Sequence, residues 1–307
     1  MPIGEIHGLS VVQFGTTVLN GIGSLRMATG TEVRSDPTSG EVYARHGHIA
    51  GQKIAAEFSS RDLVVALAQV PLTGKKIGDL SGGLTFYAGK HQSGGTRATG
   101  AAHRKYVFLD GIAYLTRLTA GHQADAELGL GAIAAFDGAN DPVAMTENVS
   151  LPAGIADTDR FTLGPITIAG LALQQFRSLS VDFGVQAKSE GSESETWDRY
   201  THIERIIPEI TIRGVRLDWL KTANVPLLGK APTHANTAIY LRKRKVGGAY
   251  EPDASAVHVK LTAAGIATVE TPVDAQGVDA AECELRMRCT YDGTNAPIVV
   301  TTATAIS

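Results

Sequence analysis

Short runs of alternating apolar and polar residues, separated by turn-forming residues, make up most of the chain. Val, Ile and Thr recur in stretches of strand length between Gly, Pro, Asn and Asp. Alternation with a period of two is typical of strands that bury one face. It brings Ile54, Ala56 and Phe58 to one face of a long strand, and Ile210 and Ile212 to the same face of a second one. The pattern predicts a mainly β protein with many turns.

One short helix is predicted directly after the first of these long strands. Ser59 and Ser60 suit an N-cap, and the apolar spacing indicates a helix from Arg61 to Ala68 with Leu63, Val64 and Leu67 facing inward. Residues 214–220 are the equivalent segment in the second half of the chain. Two Asp-Gly pairs, at 137–138 and 292–293, predict tight hairpins.

The sequence also repeats itself. A shift of 154 positions lays residues 24–63 on residues 178–217 without a gap. Nine residues recur, where ordinary composition gives roughly two or three matches by chance. These are Ser24, Leu25, Gly30, Ser35, Glu41, Arg45, His48, Ile49 and Leu63.

The correspondence extends along the whole chain. Val70-Pro71-Leu72 returns as Val225-Pro226-Leu227, and Gly111-Ile112-Ala113 returns as Gly265-Ile266-Ala267. The Asp-Gly segment at 137 returns at 292. We therefore predict two tandem copies of one β-sandwich or barrel-like domain, each with one short helix: residues 1–152 and residues 153–307.

Composition limits the classes of function. The 307 residues are 43% hydrophobic and carry a net charge of −3 with a pI near 6.3. No chain-wide positive field is available to hold nucleic acid through its phosphates. The sequence has no apolar run of membrane-spanning length, so we expect a soluble protein without a membrane anchor. The two cysteines, Cys283 and Cys289, lie on one predicted strand and about 20 Å apart, beyond disulfide reach.

Motifs of known chemistry are weak. Gly129 to Ala134 match the dinucleotide pattern GxGxxA, but the repeat aligns them with an alternating strand, so we predict no cofactor there. His46 and His48 could face a metal together, but the second copy keeps only one histidine, His202, and has Tyr200 at the other position. We therefore interpret them as structural, hydrogen-bonded histidines. No esterase, P-loop, zincin or CxxC motif occurs, and we predict neither catalytic residues nor a metal.

Two charged features are candidate contact surfaces. Each copy has a polar loop that is expected to project, and the loops carry mixed charges that suit contacts with complementary surfaces. Their candidate contact residues are Arg34, Ser35, Asp36, Pro37 and Thr38 in the first copy, and Lys188, Ser189, Glu190 and Glu193 in the second.

The chain's basic run is Arg242, Lys243, Arg244 and Lys245. Its counterpart near Lys90 is almost uncharged, so its role belongs to the second copy alone. A solvated strand end is the first interpretation, and a contact with acidic residues of a neighbouring subunit is the second.

The order of these features resembles a known family. Paired strands, a long polar hairpin loop, a long strand through His48 and Ile49, and a short helix opening with Ser60-Arg61-Asp62-Leu63 are similar to the major tail protein of long-tailed bacteriophages. The duplicated sequence resembles tail tube proteins that hold two tube domains in one chain.

The resemblance implies a structural protein of the virion tail, assembled in the host cytoplasm. Subunits of that family form hexameric rings that stack into a hollow tube, which holds the tape measure protein and then conducts DNA. Two domains per chain imply a homotrimer that closes a pseudo-hexameric ring through head-to-tail interfaces. The family also implies that the polar loops reach the adjacent ring.

Other classes of function stay open. A different virion component, such as a tail terminator, baseplate or decoration protein, would use similar domains. A duplicated β-sandwich could also be a carbohydrate-binding or adhesion module, which requires exposed aromatic platforms. Trp197 replaces Tyr43 in the repeat and Trp219 follows the second helix start, so both are interpreted as structural. An enzyme is the class least favoured.

Overall fold

The computed structural model describes residues 6–37, 42–91, 96–173, 175–191, 196–214, 233–245, 248–274 and 282–307. The fold is mainly β, as the alternation predicts, with several sheets and one α-helix among these residues. Within the described ranges, no helix is long and apolar enough to cross a membrane.

The N-terminal half, residues 6–149, contains strands β1–β12 and helix α1. A 3-10 turn, Ile77–Asp79, lies between β7 and β8. The bounds are β1 Ile6–Phe14, β2 Thr17–Leu19, β3 Ile22–Ala28, β4 Thr31–Pro37, β5 Ala44–Gln52, β6 Ala55–Ser60, α1 Leu63–Gln69, β7 Lys75–Lys76, β8 Leu84–His91, β9 His103–Phe108, β10 Asp110–Gly121, β11 Ala124–Ala135 and β12 Val143–Val149.

The C-terminal half, residues 160–304, contains strands β13–β22. Their bounds are β13 Arg160–Ile168, β14 Leu171–Ala172, β15 Phe176–Asp182, β16 Val185–Gly191, β17 Asp198–Ile206, β18 Glu209–Gly214, β19 Thr233–Arg244, β20 His258–Asp274, β21 Glu282–Cys289 and β22 Ile298–Thr304.

One long sheet runs through both halves of the molecule. Its strand order is β14-β13-β19-β20-β21-β18-β15-β10-β11-β6-β3, with β22 paired to β20 and β7 paired to β10. A second sheet, β12-β9-β8-β1-β2, belongs to the N-terminal half. The hairpins β4–β5 and β16–β17 form two separate two-stranded sheets. Every strand pair within these sheets is antiparallel.

The two halves have strands in the same order and with matching bounds. β1, β3, β4, β5 and β6 each have a counterpart that begins and ends 154 residues later: β13, β15, β16, β17 and β18. Strands β12 and β22 match at a displacement of 155. Other elements differ between the halves. β9 and β10 are separate strands in different sheets, whereas β20 is one continuous strand, and β19 is longer than its counterpart β8.

The core lies between the long sheet and the elements that cover its apolar face. Aromatic residues join the layers of the N-terminal half: Phe58 on β6 meets Phe86 on β8 at 5.4 Å, and Phe86 meets Phe108 at 5.2 Å between ring centroids. The buried side chains of both halves form one continuous cluster. Burial of this apolar surface is the main driving force for folding.

The predicted helix exists, but its predicted start is wrong. Helix α1 begins at Leu63, and Asp62 is its N-cap residue. Ser60 does not cap the first helical turn directly: its Oγ donates to Asn20 O (2.8 Å) and accepts from Asp62 N (3.0 Å). Leu63 is buried, and Val64 and Leu67 pack against the core as expected. The predicted second helix lies beyond residue 214, outside the described residues.

The Asp-Gly pairs do not form hairpins, which corrects the prediction. β11 precedes the first pair and β12 follows it, but β12 pairs with β9 in another sheet. Each aspartate instead caps its own loop: Asp292 Oδ1 accepts from Asn295 N at 2.6 Å, and Asp137 Oδ1 from Asn140 N at 2.7 Å. The side-chain amide of the same asparagine donates to Oδ2 of each aspartate at 2.8 Å, and this bond, together with the backbone ones, stabilises the ionised carboxylate. The pKa of Asp137 is therefore lowered, and that of Asp292 is lowered to about 2.

Candidate assembly surfaces

The halves are joined through the edges of two strands. β15 of the C-terminal half pairs with β10 of the N-terminal half from Arg117 opposite Asp182 to Gly121 opposite Ser178. The ladder is extended by His122 N donating to Arg177 O at 2.8 Å. The long sheet therefore passes from one half to the other without a break, and its hydrogen-bonded backbone forms the junction.

The second hairpin, β16–β17, strengthens this junction from the side. It lies against β10 and β11 of the N-terminal half. Ile203 of β17 reaches the neighbourhood of Gly74 and Ile112: a β-carbon placed on Gly74 would lie 2.6 Å from the Cδ1 of Ile203 and 3.2 Å from that of Ile112. The absence of a side chain at Gly74 makes room for this contact.

An aromatic contact closes the same junction. The Trp197 ring lies 5.4 Å from the Phe136 ring, and its Nε1 donates to Gln52 Oε1 at 2.8 Å. Gln52 N donates to Thr196 O at 2.8 Å. Trp197 thus has a packing role between the halves, as the sequence interpretation expects. A tilted aromatic pair adds about 0.5–1.5 kcal/mol beyond its buried area.

Two strand edges equivalent to this junction have no partner among the described residues. β3, the counterpart of β15, pairs only with β6. The final part of β20, residues 271–274, corresponds to residues 117–120 of β10, which pair with β15, and within the described residues it pairs only with β21. Unpaired edges offer rows of N–H and C=O groups to another strand.

Exposed apolar side chains accompany these two edges. Val33, Val42, Tyr43 and Ile49 lie exposed on or beside the first hairpin, β4–β5. Ile266 on β20 and Tyr291, just after β21, are exposed at the other end of the molecule. Clusters of exposed large apolar residues mark interaction sites in folded proteins.

The long sheet has a polar face opposite to its core face. Pairing across four strands places polar and apolar rows in alternation, since residues opposite one another share a face. One polar row is Arg117, Asp182, Glu209 and Arg288, the next is Thr119, Ser180, Thr211 and Arg286, and the apolar row between them is Leu118, Val181, Ile210 and Met287.

The arginines of this polar face are held by carboxylates on neighbouring strands. Arg213 donates to Glu284 at 2.8 Å, and Glu209 forms ion pairs with Arg286 (3.2 Å) and Arg288 (3.5 Å). Individual exposed ion pairs contribute about 0–1 kcal/mol to stability. Their larger effect is electrostatic, because the two carboxylates balance most of the charge of these three guanidinium groups.

The first predicted contact loop is a strand rather than a loop. Arg34, Ser35, Asp36 and Pro37 belong to β4, which pairs with β5. Arg34 donates to Glu32 at 3.1 Å, and both side chains are largely exposed. Thr38 lies outside the described residues. The expected single long strand before the helix is also divided, into β5 and β6, at residues 53–54.

The second predicted contact loop is likewise a strand for most of its length. Lys188, Ser189 and Glu190 belong to β16. Lys188 donates to Glu204 at 2.7 Å, which lowers the pKa of that carboxyl, and Ser189 donates to Asp198. Glu193 lies outside the described residues. These charges have partners within the hairpin, and a stacking contact between rings stays a prediction.

The basic run at the end of β19 has partners within the same chain. Arg242 contacts Asp253 (2.8 Å), Lys243 contacts Asp159 (2.7 Å) and Lys245 contacts Glu251 (3.3 Å). Arg242 and Arg244 also lie over the Tyr250 ring, at 5.6 and 5.5 Å. The run is therefore balanced locally, and its contact with another subunit stays a prediction.

The remaining candidates for chemistry all lie on β-strands. Gly129 to Ala134 lie within strand β11, as expected from the repeat. His46 and His48 are exposed on β5, and the described residues hold no group of three or more potential metal ligands. Cys283 and Cys289 are both buried on β21 and are not joined by a disulfide, as the sequence predicts.

Sequence reasoning missed the residues that carry the junction. Ile112, Ile203 and Phe136 are ordinary apolar strand residues, and alternation does not reveal which strand lies beside them. The available signal was the repeat itself, since an aromatic residue occupies position 43 and its equivalent, 197.

Comparison of the chain with models of known protein families gives no match, and comparison with curated proteins gives none.

Proposed function

We propose that this protein is a structural subunit of a bacteriophage tail tube, in which two tandem copies of one domain close rings that conduct DNA. The observation that carries the proposal is the set of strand edges. One junction, β10 with β15, is made within the chain, and the equivalent edges on β3 and on residues 271–274 of β20 have no further partner of this kind among the described residues.

The matching strand bounds of the two halves support a duplicated domain. In a duplicated chain, the edge left free at one end is complementary to the edge left free at the other. Such a head-to-tail contact differs from a self-complementary one and generates a ring where the rotation closes. Three chains with two domains each would give a ring of six domains.

The polar face of the long sheet supports a passage for DNA. Its carboxylates, Asp182, Glu209 and Glu284, balance most of the charge of its four arginines, Arg117, Arg213, Arg286 and Arg288, so little free positive charge is available to bind phosphate. A tube wall of this kind would let a duplex slide, because tight and salt-dependent binding requires unbalanced Lys and Arg side chains. We assign this face to the lumen.

Purified protein at increasing concentration tests the proposal directly. We expect sedimentation to show trimers and larger assemblies, and negative-stain microscopy to show rings with threefold symmetry or striated tubes. A protein that stays monomeric at every concentration and binds glycans would contradict the proposal and favour an adhesion module.

A further inference from the structure

Each apolar contact of the junction within the chain has an exposed counterpart elsewhere. Ile203 on the second hairpin corresponds to Ile49 on the first, and its neighbour Ile112 corresponds to Ile266. Ile112 is buried, whereas Ile49 is 49% exposed and Ile266 is 43% exposed. Ile49 and Ile266 are therefore equivalent to two residues that lie close together at the internal junction, but both are exposed on this chain.

The aromatic contact is duplicated in the same way. Trp197 corresponds to Tyr43, and Phe136 corresponds to Tyr291. Trp197 and Phe136 pack together and are partly buried, but Tyr43 is 84% exposed and Tyr291 is 64% exposed. An aromatic residue is retained at all four positions, and a tyrosine pair would supply the same tilted ring contact.

The backbone edges between these contacts have matching shapes. The ladder between β10 and β11 has an irregularity between Leu115 and Arg117, and the ladder between β20 and β21 has one at the equivalent point, between Val269 and Thr271. The outer edge of β20 therefore follows that of β10 up to Thr271, the equivalent of Arg117, where the part of β10 that pairs with β15 begins. Pro272 has no N–H to donate, so a strand paired there would lose one hydrogen bond.

We propose that a second copy of this chain docks on these surfaces in the register of the internal junction. Tyr43 and Ile49 of one copy contact Tyr291 and Ile266 of the next, while β3 pairs with the outer edge of β20. This inference rests on the proposed ring and deepens it by naming the contacts between subunits. The occupant is a second copy of this chain, because the same two kinds of surface already bind each other at the junction within the chain.

The proposed contact has a consequence for the first hairpin. Its strands serve the interface within a ring, as β16–β17 does inside the chain. A stacking role for Arg34 to Pro37 would then use the side of the hairpin that faces away from the neighbouring subunit.

Cross-linking between two variants that each carry one added cysteine tests this register. The variants Ile49→Cys and Ile266→Cys are purified separately, mixed in equal amounts at low concentration and then concentrated. A short bis-maleimide is added, and covalent dimers are counted on a denaturing gel. We expect dimers from the mixture and few from either variant alone, since a head-to-tail contact brings position 49 beside position 266 and not beside itself.

Three controls accompany the experiment. The unsubstituted protein measures the background from its buried native thiols. Ile49→Cys mixed with Met145→Cys, an exposed position on β12 outside both surfaces, measures random collision. Phe136→Cys combined with Trp197→Cys in one chain, at two partly buried positions of the internal junction, should give a cross-link within that chain, detected as peptides by mass spectrometry.

The outcomes separate this inference from the proposed function. Assemblies without a 49–266 cross-link, or with 49–49 dimers, would overturn the inference and leave ring formation standing. A protein that remains monomeric would overturn both. A third variant, Ile49→Asp, changes an exposed residue and should leave the circular dichroism spectrum unchanged while weakening association by about tenfold or more.

Discussion

At the scale of single residues, the fold raises the pKa of both cysteine thiols. Burial raises the pKa of Cys283, and it raises that of Cys289 to about 12, with a further contribution from Glu209. The thiolate is the reactive form of cysteine. We expect the native protein at pH 8 to react very slowly with a maleimide, and the denatured protein to react at both thiols. Rapid labelling of the folded chain would contradict the buried placement.

The raised pKa of Cys289 also predicts how stability depends on pH. Above about pH 9 the thiol of the unfolded chain loses its proton, while the folded chain keeps it until about pH 12. The unfolded state therefore binds fewer protons in this window, and stability falls as pH rises through it. Denaturant unfolding measured from pH 8 to pH 11 checks this, and Cys289→Ala should make the decline shallower.

At the scale of single elements, the N-terminal half has two separate strands, β9 and β10, where the C-terminal half has the continuous strand β20. Gly111 adopts φ +127°, and a β-carbon there would overlap Ile133 O; at the equivalent Gly265 it would overlap Arg288 O. Gly111 follows the point where the chain passes from β9 in one sheet to β10 in the other, and Gly265 lies where the partner of β20 changes from β22 to β21. Only glycine permits such close backbone approach.

Gly111→Ala should therefore destabilise the fold strongly, by about 3 kcal/mol, because it adds both an unfavourable φ and an overlap with the backbone. Gly82→Ala is the matched control: its φ is +87°, but nothing lies within 4 Å of the added carbon. We expect a cost of about 1 kcal/mol there. Equal losses at the two positions, measured by urea unfolding, would show that the overlap is relieved elsewhere.

The sequence predicted the type of each element better than it predicted which strands pair with one another. Alternation identified the strands around Phe58 and Ile212, since one face of each is buried. It failed for Arg34 to Pro37, because a hairpin strand with both faces exposed has no apolar period and resembles a loop. It also failed for Asp137 and Gly138, where the same two residues close a loop between strands of different sheets. Pairing partners are fixed by tertiary packing, which short-range patterns do not encode.

At the scale of the whole molecule, the balance of charge on the polar face should control its affinity for DNA. Glu209 and Glu284 form ion pairs with Arg213, Arg286 and Arg288. Replacing both glutamates by glutamine keeps the size of each side chain and removes two negative charges. We expect the double variant to bind duplex DNA more tightly than the unsubstituted protein, with a steeper decrease of affinity as salt rises.

The salt dependence supplies the quantitative measure. Each additional phosphate contact should steepen the slope of log affinity against log salt concentration by about 0.9 for duplex DNA. The control Glu190→Gln with Glu204→Gln removes the same charge from the second hairpin, where the partners are His202 and Lys188. If both double variants gain affinity equally, net charge alone is responsible and the polar face does not line the passage. A gain confined to the Glu209 and Glu284 variant would mean that DNA meets the long sheet on this face.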